Sequence, residues 1–194
     1  MRPLVPDDLL SLEAYARSRA EFRQRAIAHK RNRTVHVGPH LTLLFEDRLT
    51  VQYQVQEMLR IERIFEPQGI AEELAAYNPL IPDGHNWKAT LLIEFPDEAE
   101  RRRRLIEWRG IEHHFRLLVD ALPPVTAIAD EDLERSNEAK TAAVHFLRFE
   151  LDAPMRAALR AGAPVAFSVE HADCRERVLL TPEQRTALLA DLAD

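Results

Sequence analysis

The 194-residue chain holds one cysteine, Cys174, and a single thiol excludes both an intramolecular disulfide and a cysteine-only zinc or iron–sulfur site within one chain. Glycine is nearly as scarce. The five glycines, Gly38, Gly69, Gly84, Gly110 and Gly162, stand too far apart for a GxGxxG or Walker-type loop, so the usual backbone cradles for dinucleotides and nucleoside triphosphates are missing. None of Ser11, Ser18, Ser136 and Ser168 lies in a G-x-S-x-G elbow, which leaves serine catalysis without support. Long apolar runs are lacking too: 74–77 and 187–190 stop far short of the roughly 18 to 20 residues that cross a bilayer. The first eight residues bring acids before any apolar stretch builds, unlike a secretory leader, and together with the lone thiol they predict a cytoplasmic protein.

What is present suits a folded core. A hydrophobic fraction of 46% over 194 residues predicts a single domain across 1–194. The net charge of −6 argues against general nucleic-acid binding, which needs clustered cations on phosphates. Charge is uneven, however: Arg17, Arg19, Arg23, Arg25, Lys30, Arg31 and Arg33 face one acid, Glu21, whereas 57–73 is acid-rich. The ordinary consequence is mutual neutralisation in the fold.

Periodicity predicts a helix over about 8–31, a hairpin from 34–37 and 41–45 around Gly38-Pro39-His40, and helices over 47–65 and from Pro67 to about Asn78. A strand over 88–95 and a helix over 96–108 follow. Later strands are expected at 113–119, 125–129, 141–151, 164–171 and 177–180, with helices over 154–161 and 182–192. No βαβ rhythm recurs, so the fold class is α+β: a largely antiparallel sheet with an N-terminal helical layer and a C-terminal helix.

Polar groups on apolar faces are the candidate functional residues. On the helix starting near Asp47, a 100° step places Glu62 within the stripe of Val51, Val55, Met58, Leu59 and Phe65. A buried carboxylate must meet a cation, a metal or donors, and Arg23 or Arg25 of the first helix is the structural partner to expect. On the late strands, alternation aligns His113 with Phe115, Leu117 and Val119, His145 with Leu147, Phe149 and Leu151, and His171 with Val165, Phe167 and Val169. If the strand from His113 runs antiparallel to the one ending at His171, both imidazoles reach one end of the sheet. Imidazole plus carboxylate suits iron, zinc or manganese, so His113, His145, His171 and Glu62 form a candidate metal site. His36, on the other alternation, is expected at the surface, as is His114. Cys174 reads as a turn residue between strands, and Arg101–Arg104 reads as a solvated, ion-paired helix face beside Glu98, Glu100 and Glu107.

Five segments are familiar together: 38–46; 56–60 followed by Glu62-Arg63-Ile64; Tyr77-Asn78-Pro79-Leu80; Gly110-Ile111-Glu112-His113-His114; and 140–149. In this order they resemble a bacterial family known only as domain of unknown function 3501, over nearly the whole chain. The resemblance implies a stand-alone bacterial protein and carries over no catalytic or binding residue. Members tend to be encoded near rubrerythrin-like and cysteine-rich iron–sulfur proteins, which implies a redox or peroxide-stress setting and a partner of that kind. Two functions are therefore expected: a non-catalytic accessory protein docking a redox partner through its basic first helix or arginine-rich helix, or a small metal-binding protein or metal-dependent oxidoreductase.

Overall fold

The computed structural model of the chain describes residues 1–131, 135–137 and 139–193. Its first half is mostly helical: α1 (Leu12–Arg31), the hairpin β1 (Thr34–His36) and β2 (Leu41–Phe45), α2 (Arg48–Glu62), α3 (Pro67–Tyr77), β3 (Asn86–Ile93) and α4 (Glu98–Glu107). The second half is mostly strand: β4 (Phe115–Val119), β5 (Val125–Thr126), β6 (Ile128–Ala129), β7 (Val144–Glu150), α5 (Ala153–Arg160), β8 (Val165–His171), β9 (Cys174–Leu179) and the terminal α6 (Pro182–Leu189). This is the α+β class that composition and periodicity predict.

Local chemistry explains the punctuation. Gly38, at φ 73°, takes the left-handed turn of the first hairpin, a conformation that costs a residue without a Cβ nothing. Asp47 caps α2, its carboxylate accepting from the backbone N–H of Leu49 at 3.0 Å and Thr50 at 2.9 Å. At the other end Arg63 turns left-handed at φ 57°, so α2 stops at Glu62 and the stripe does not continue to Phe65, which is 69% exposed. Val51, Val55 and Leu59 instead pack with Leu4, Leu74 and Ile81 in a helical cluster of their own.

The strands form two antiparallel sheets rather than one. Five strands run in the order β1-β2-β3-β7-β6, and four in the order β5-β4-β8-β9. The sheets bury a shared core in which Phe167 meets Phe45 and Phe149, each at a centroid distance of 5.1 Å. β5 and β6, separated by Ala127 alone, belong to different sheets, so the chain changes sheet within five residues and delivers Asp130 to the seam between them.

A polar core ties the chain ends together. Arg33, 2% exposed, donates through Nε to the Phe45 carbonyl at 3.0 Å, through Nη1 to the Ala187 carbonyl at 3.1 Å, and through Nη2 to the Glu46 carbonyl at 3.0 Å and to Asp191. Asp47 approaches the same guanidinium at 3.5 Å and accepts from His29 at 2.5 Å.

Candidate metal centre

β7 carries the centre's imidazole. Alternation along Val144–Glu150 turns His145, Leu147 and Phe149 into the core, and His145, paired in register with Leu91, is fully buried. Glu112 comes from the 3-10 turn Ile111–His114, which starts where Gly110 takes φ 82° and precedes β4; its side chain is 2% exposed. Asp130 follows β6 with φ 50°, a left-handed conformation that aspartate tolerates better than most residues. Its backbone N–H donates to the Phe146 carbonyl at 2.9 Å, and its carboxylate accepts the Phe146 N–H at 3.0 Å, so it is locked to β7 at both ends.

Among the described residues, Glu112, Asp130 and His145 are the group of acidic and imidazole side chains whose ligand atoms all lie within 4.8 Å of one another. Nδ1 of His145 meets Asp130 Oδ2 at 2.6 Å. Nε2 faces Thr141 Oγ1 at 2.8 Å, the Ala142 carbonyl at 3.0 Å and Glu112 Oε2 at 3.8 Å. Ser136 donates its hydroxyl to Glu112 Oε1, and Thr141 donates to Oε2 at 2.9 Å. Burial alone would push the Glu112 carboxyl upward, but these hydroxyls, with the backbone and the nearby His145, outweigh it and hold its pKa below the ordinary value. Arg135 balances part of the charge at 3.3 Å from Asp130.

The proton count is informative. Thr141 gives its only hydroxyl proton to Glu112, so at Nε2 it presents an oxygen, as does the Ala142 carbonyl. Asp130 offers a carboxylate oxygen to Nδ1. Both ring nitrogens therefore face oxygens, a condition met by a second proton within the cluster or by a cation in its place. Metal-ligating histidines hold their other ring N–H on a carboxylate or a carbonyl; at His145 the Ala142 carbonyl beside Nε2 can take that part, which leaves Nδ1, beside Asp130, to an ion.

Residues 3–192 match the family described as a protein of unknown function, DUF3501. The chain belongs to the DUF3501 family. It is similar to a crystal structure from Burkholderia pseudomallei described as a novel protein of unknown function, at 50% identity, with a TM-score of 0.94 and coverage of 99% of this chain and 100% of that one. No curated protein matches the chain.

Of the four residues singled out in the sequence, His145 alone joins this centre. β4 does pair antiparallel with β8, Phe115 opposite Val169, as the strand reading requires. His113, however, belongs to the 3-10 turn before the strand, and its side chain is 65% exposed, turned outward past Glu112 at 3.8 Å. His171 is buried at 8% but bonds to the Arg109 carbonyl at 3.3 Å and the Asp173 N–H at 3.2 Å, and its ring neighbour is His114 at 5.1 Å. Glu62 is exposed on the last residue of α2, because the helix ends before the stripe can bury it. The expected tie between α1 and α2 exists on Glu57 instead, which accepts from Arg19 Nε and Nη2, both at 2.8 Å, and from Tyr15 at 2.7 Å, while the Arg25 guanidinium lies over the Phe22 ring.

Glu112 and Asp130 escape sequence reasoning because neither sits on a regular strand. Glu112 and Thr141 do fall in the two family-like segments 110–114 and 140–149, and that was the available signal. Cys174 lies on β9 with its thiol raised to about 11 by burial, as befits an unreactive structural cysteine. No helix among the described residues is long and apolar enough to cross a membrane.

Proposed function

We propose that this chain is a metal-binding protein whose occupant is a divalent cation held by Glu112, Asp130 and His145. One observation carries the reading: two carboxylates and an imidazole converge within 4.8 Å in the interior, with both ring nitrogens of His145 facing oxygen acceptors. Two carboxylates with one imidazole form a hard, oxygen-rich donor set, which favours manganese, iron or zinc over copper(I) and thiolate-bound clusters. Iron or manganese also agrees with the redox or peroxide-stress setting that the family resemblance implies. Thr141 and Ser136 orient Glu112, and the Phe146 N–H holds Asp130, so the protein's part is to present the three ligands pre-aligned. The three side chains are at most 7% exposed, so an ion held there would be shielded from solvent.

The test is metal analysis of untagged protein, followed by calorimetric titration of the chelated protein with Mn(II), Fe(II) and Zn(II). About one equivalent per chain is expected, with proton release that makes affinity rise with pH, and loss of binding in His145→Ala and Asp130→Asn. A wild-type protein that is purified metal-free and takes up none of the three ions would leave a purely hydrogen-bonded network and overturn the reading.

A further inference from the structure

A cavity of about 510 Å³ opens on the opposite, outward face of the five-stranded sheet, between β3, β7 and the segment after α3. That is the size of a small-molecule site. Ala76, Pro79, Leu80 and Phe146 give it apolar walls, and Lys88 and Arg148 project from the neighbouring strands, where they are paired directly across the β3–β7 register.

The polar lining is almost fully paired. Arg148 is closed by Glu131, which takes Nε at 2.6 Å and Nη2 at 2.7 Å, and by Glu150. Asn86 donates to Glu150 at 3.1 Å, and Asp83 accepts from the His85 N–H at 2.8 Å. Lys88 is different. Its ammonium, with three N–H groups, donates to the Pro79 carbonyl at 2.6 Å and forms no ion pair among the described residues; Asp83 and Glu131 act on it only from a distance. The ammonium is half-buried, its bond within the described residues goes to a neutral carbonyl, and burial pulls its pKa down.

We infer that this cavity binds a small monocarboxylate with an apolar body, the carboxylate pairing with Lys88 and the body lying against Leu80 and Phe146. A monoanion fits because, among the described residues, Lys88 is the one cation of the lining without an ion pair; a phosphate would want the several cations that Arg148, locked to two acids, does not supply. The cavity lies on the other face of β7 from His145, since Phe146 and Arg148 alternate with the buried His145, Leu147 and Phe149.

Amide chemical-shift titration of the full chain with hexanoate tests it, with hexylamine and inorganic phosphate as probes of the same size or charge. Hexanoate should give saturable shifts at Lys88, Phe146 and Arg148, and the other two probes should not. Lys88→Met should weaken hexanoate by about tenfold or more, the loss of a charge-assisted hydrogen bond, whereas Lys88→Arg should stay within about threefold. The spectrum of each variant reports its fold in the same experiment. Hexylamine or phosphate binding as well as hexanoate, undiminished binding by Lys88→Met, or no saturable shift with hexanoate up to about 100 mM, far above the millimolar range of weak specific ligands, would overturn the proposal.

Discussion

Two buried charge networks among the described residues solve the same electrostatic problem differently. At the end of α1, Arg33 brings a permanent cation that donates four hydrogen bonds, to the Phe45, Glu46 and Ala187 carbonyls and to Asp191, with Asp47 in ion-pair range at 3.5 Å. At the seam between the sheets, Glu112 and Asp130 flank an imidazole, whose charge is not permanent. A guanidinium cannot be deprotonated and fixes its neighbours for good; an imidazole leaves the positive charge replaceable. The first arrangement therefore reads as architecture and the second as a site.

Removing the permanent cation should have the largest effect. Arg33→Met leaves Asp191 buried without its partner and three carbonyls without donors, and a loss of about 3–5 kcal/mol in urea unfolding is expected. A loss near that of a surface substitution would break the contrast. The same network has a pH signature. Burial lifts the Asp191 carboxyl from 3.8 to about 6 in spite of Arg33. A folded-state pKa above the unfolded one contributes stability that is complete below pH 3.8 and fades as pH climbs to about 6. The stability of wild type relative to Asp191→Asn should thus fall across that interval, by up to about 3 kcal/mol, in unfolding curves collected from pH 4 to 7. Asp47 and Glu112 work the opposite way: both are held below their ordinary values, so their contribution is lost at the acid end.

The two networks also differ in how far the sequence reveals them. Elements governed by neighbours in the chain were legible: the turn at Gly38, the start of α2 near Asp47 and the inward side of β7, which finds His145 by alternation. His113 misled because the same alternation continues backward from Phe115 into a turn set by the left-handed Gly110, where it no longer describes the backbone. Glu62 misled because a 100° step says nothing of where a helix stops, and Arg63 ends α2 by turning left-handed. Glu112 was invisible for another reason: its burial is made tolerable by Ser136 and Thr141, 24 and 29 residues away. Partner choice between strands is likewise non-local, and no pattern in 125–129 foretells that its two halves join different sheets.

Metal addition sharpens the comparison at the next level of effect. An ion at about 100 times its dissociation constant stabilises a protein by about 2.7 kcal/mol, which for a chain of this size is a rise of roughly 5 to 10 °C in Tm. Thermal scans with Mn(II), Fe(II) or Zn(II) should show that rise in wild type and lose it in His145→Ala. The Arg33 network, already satisfied, should respond to none of these ions, so Asp191→Asn should keep the full shift. Equal sensitivity of both variants would mean that the ion binds elsewhere.

The smallest effect belongs to charges that no burial amplifies. On α4, Arg102 meets Glu98 at 3.2 Å with both side chains 75% exposed, the solvated, paired face expected of the arginine run. In high dielectric, an ordered pair loses in side-chain entropy most of what it gains in Coulomb energy, so Arg102→Ala should cost less than about 0.5 kcal/mol, around 1 °C in Tm. The residual effect should vanish on raising salt from 0.1 to 1 M, where the screening length shortens from about 10 to 3 Å, whereas the cost of Arg33→Met should persist. A salt-insensitive penalty at Arg102 would mean that solvent exposure does not separate the two classes of ion pair, and burial would lose its place as the physical cause of the difference.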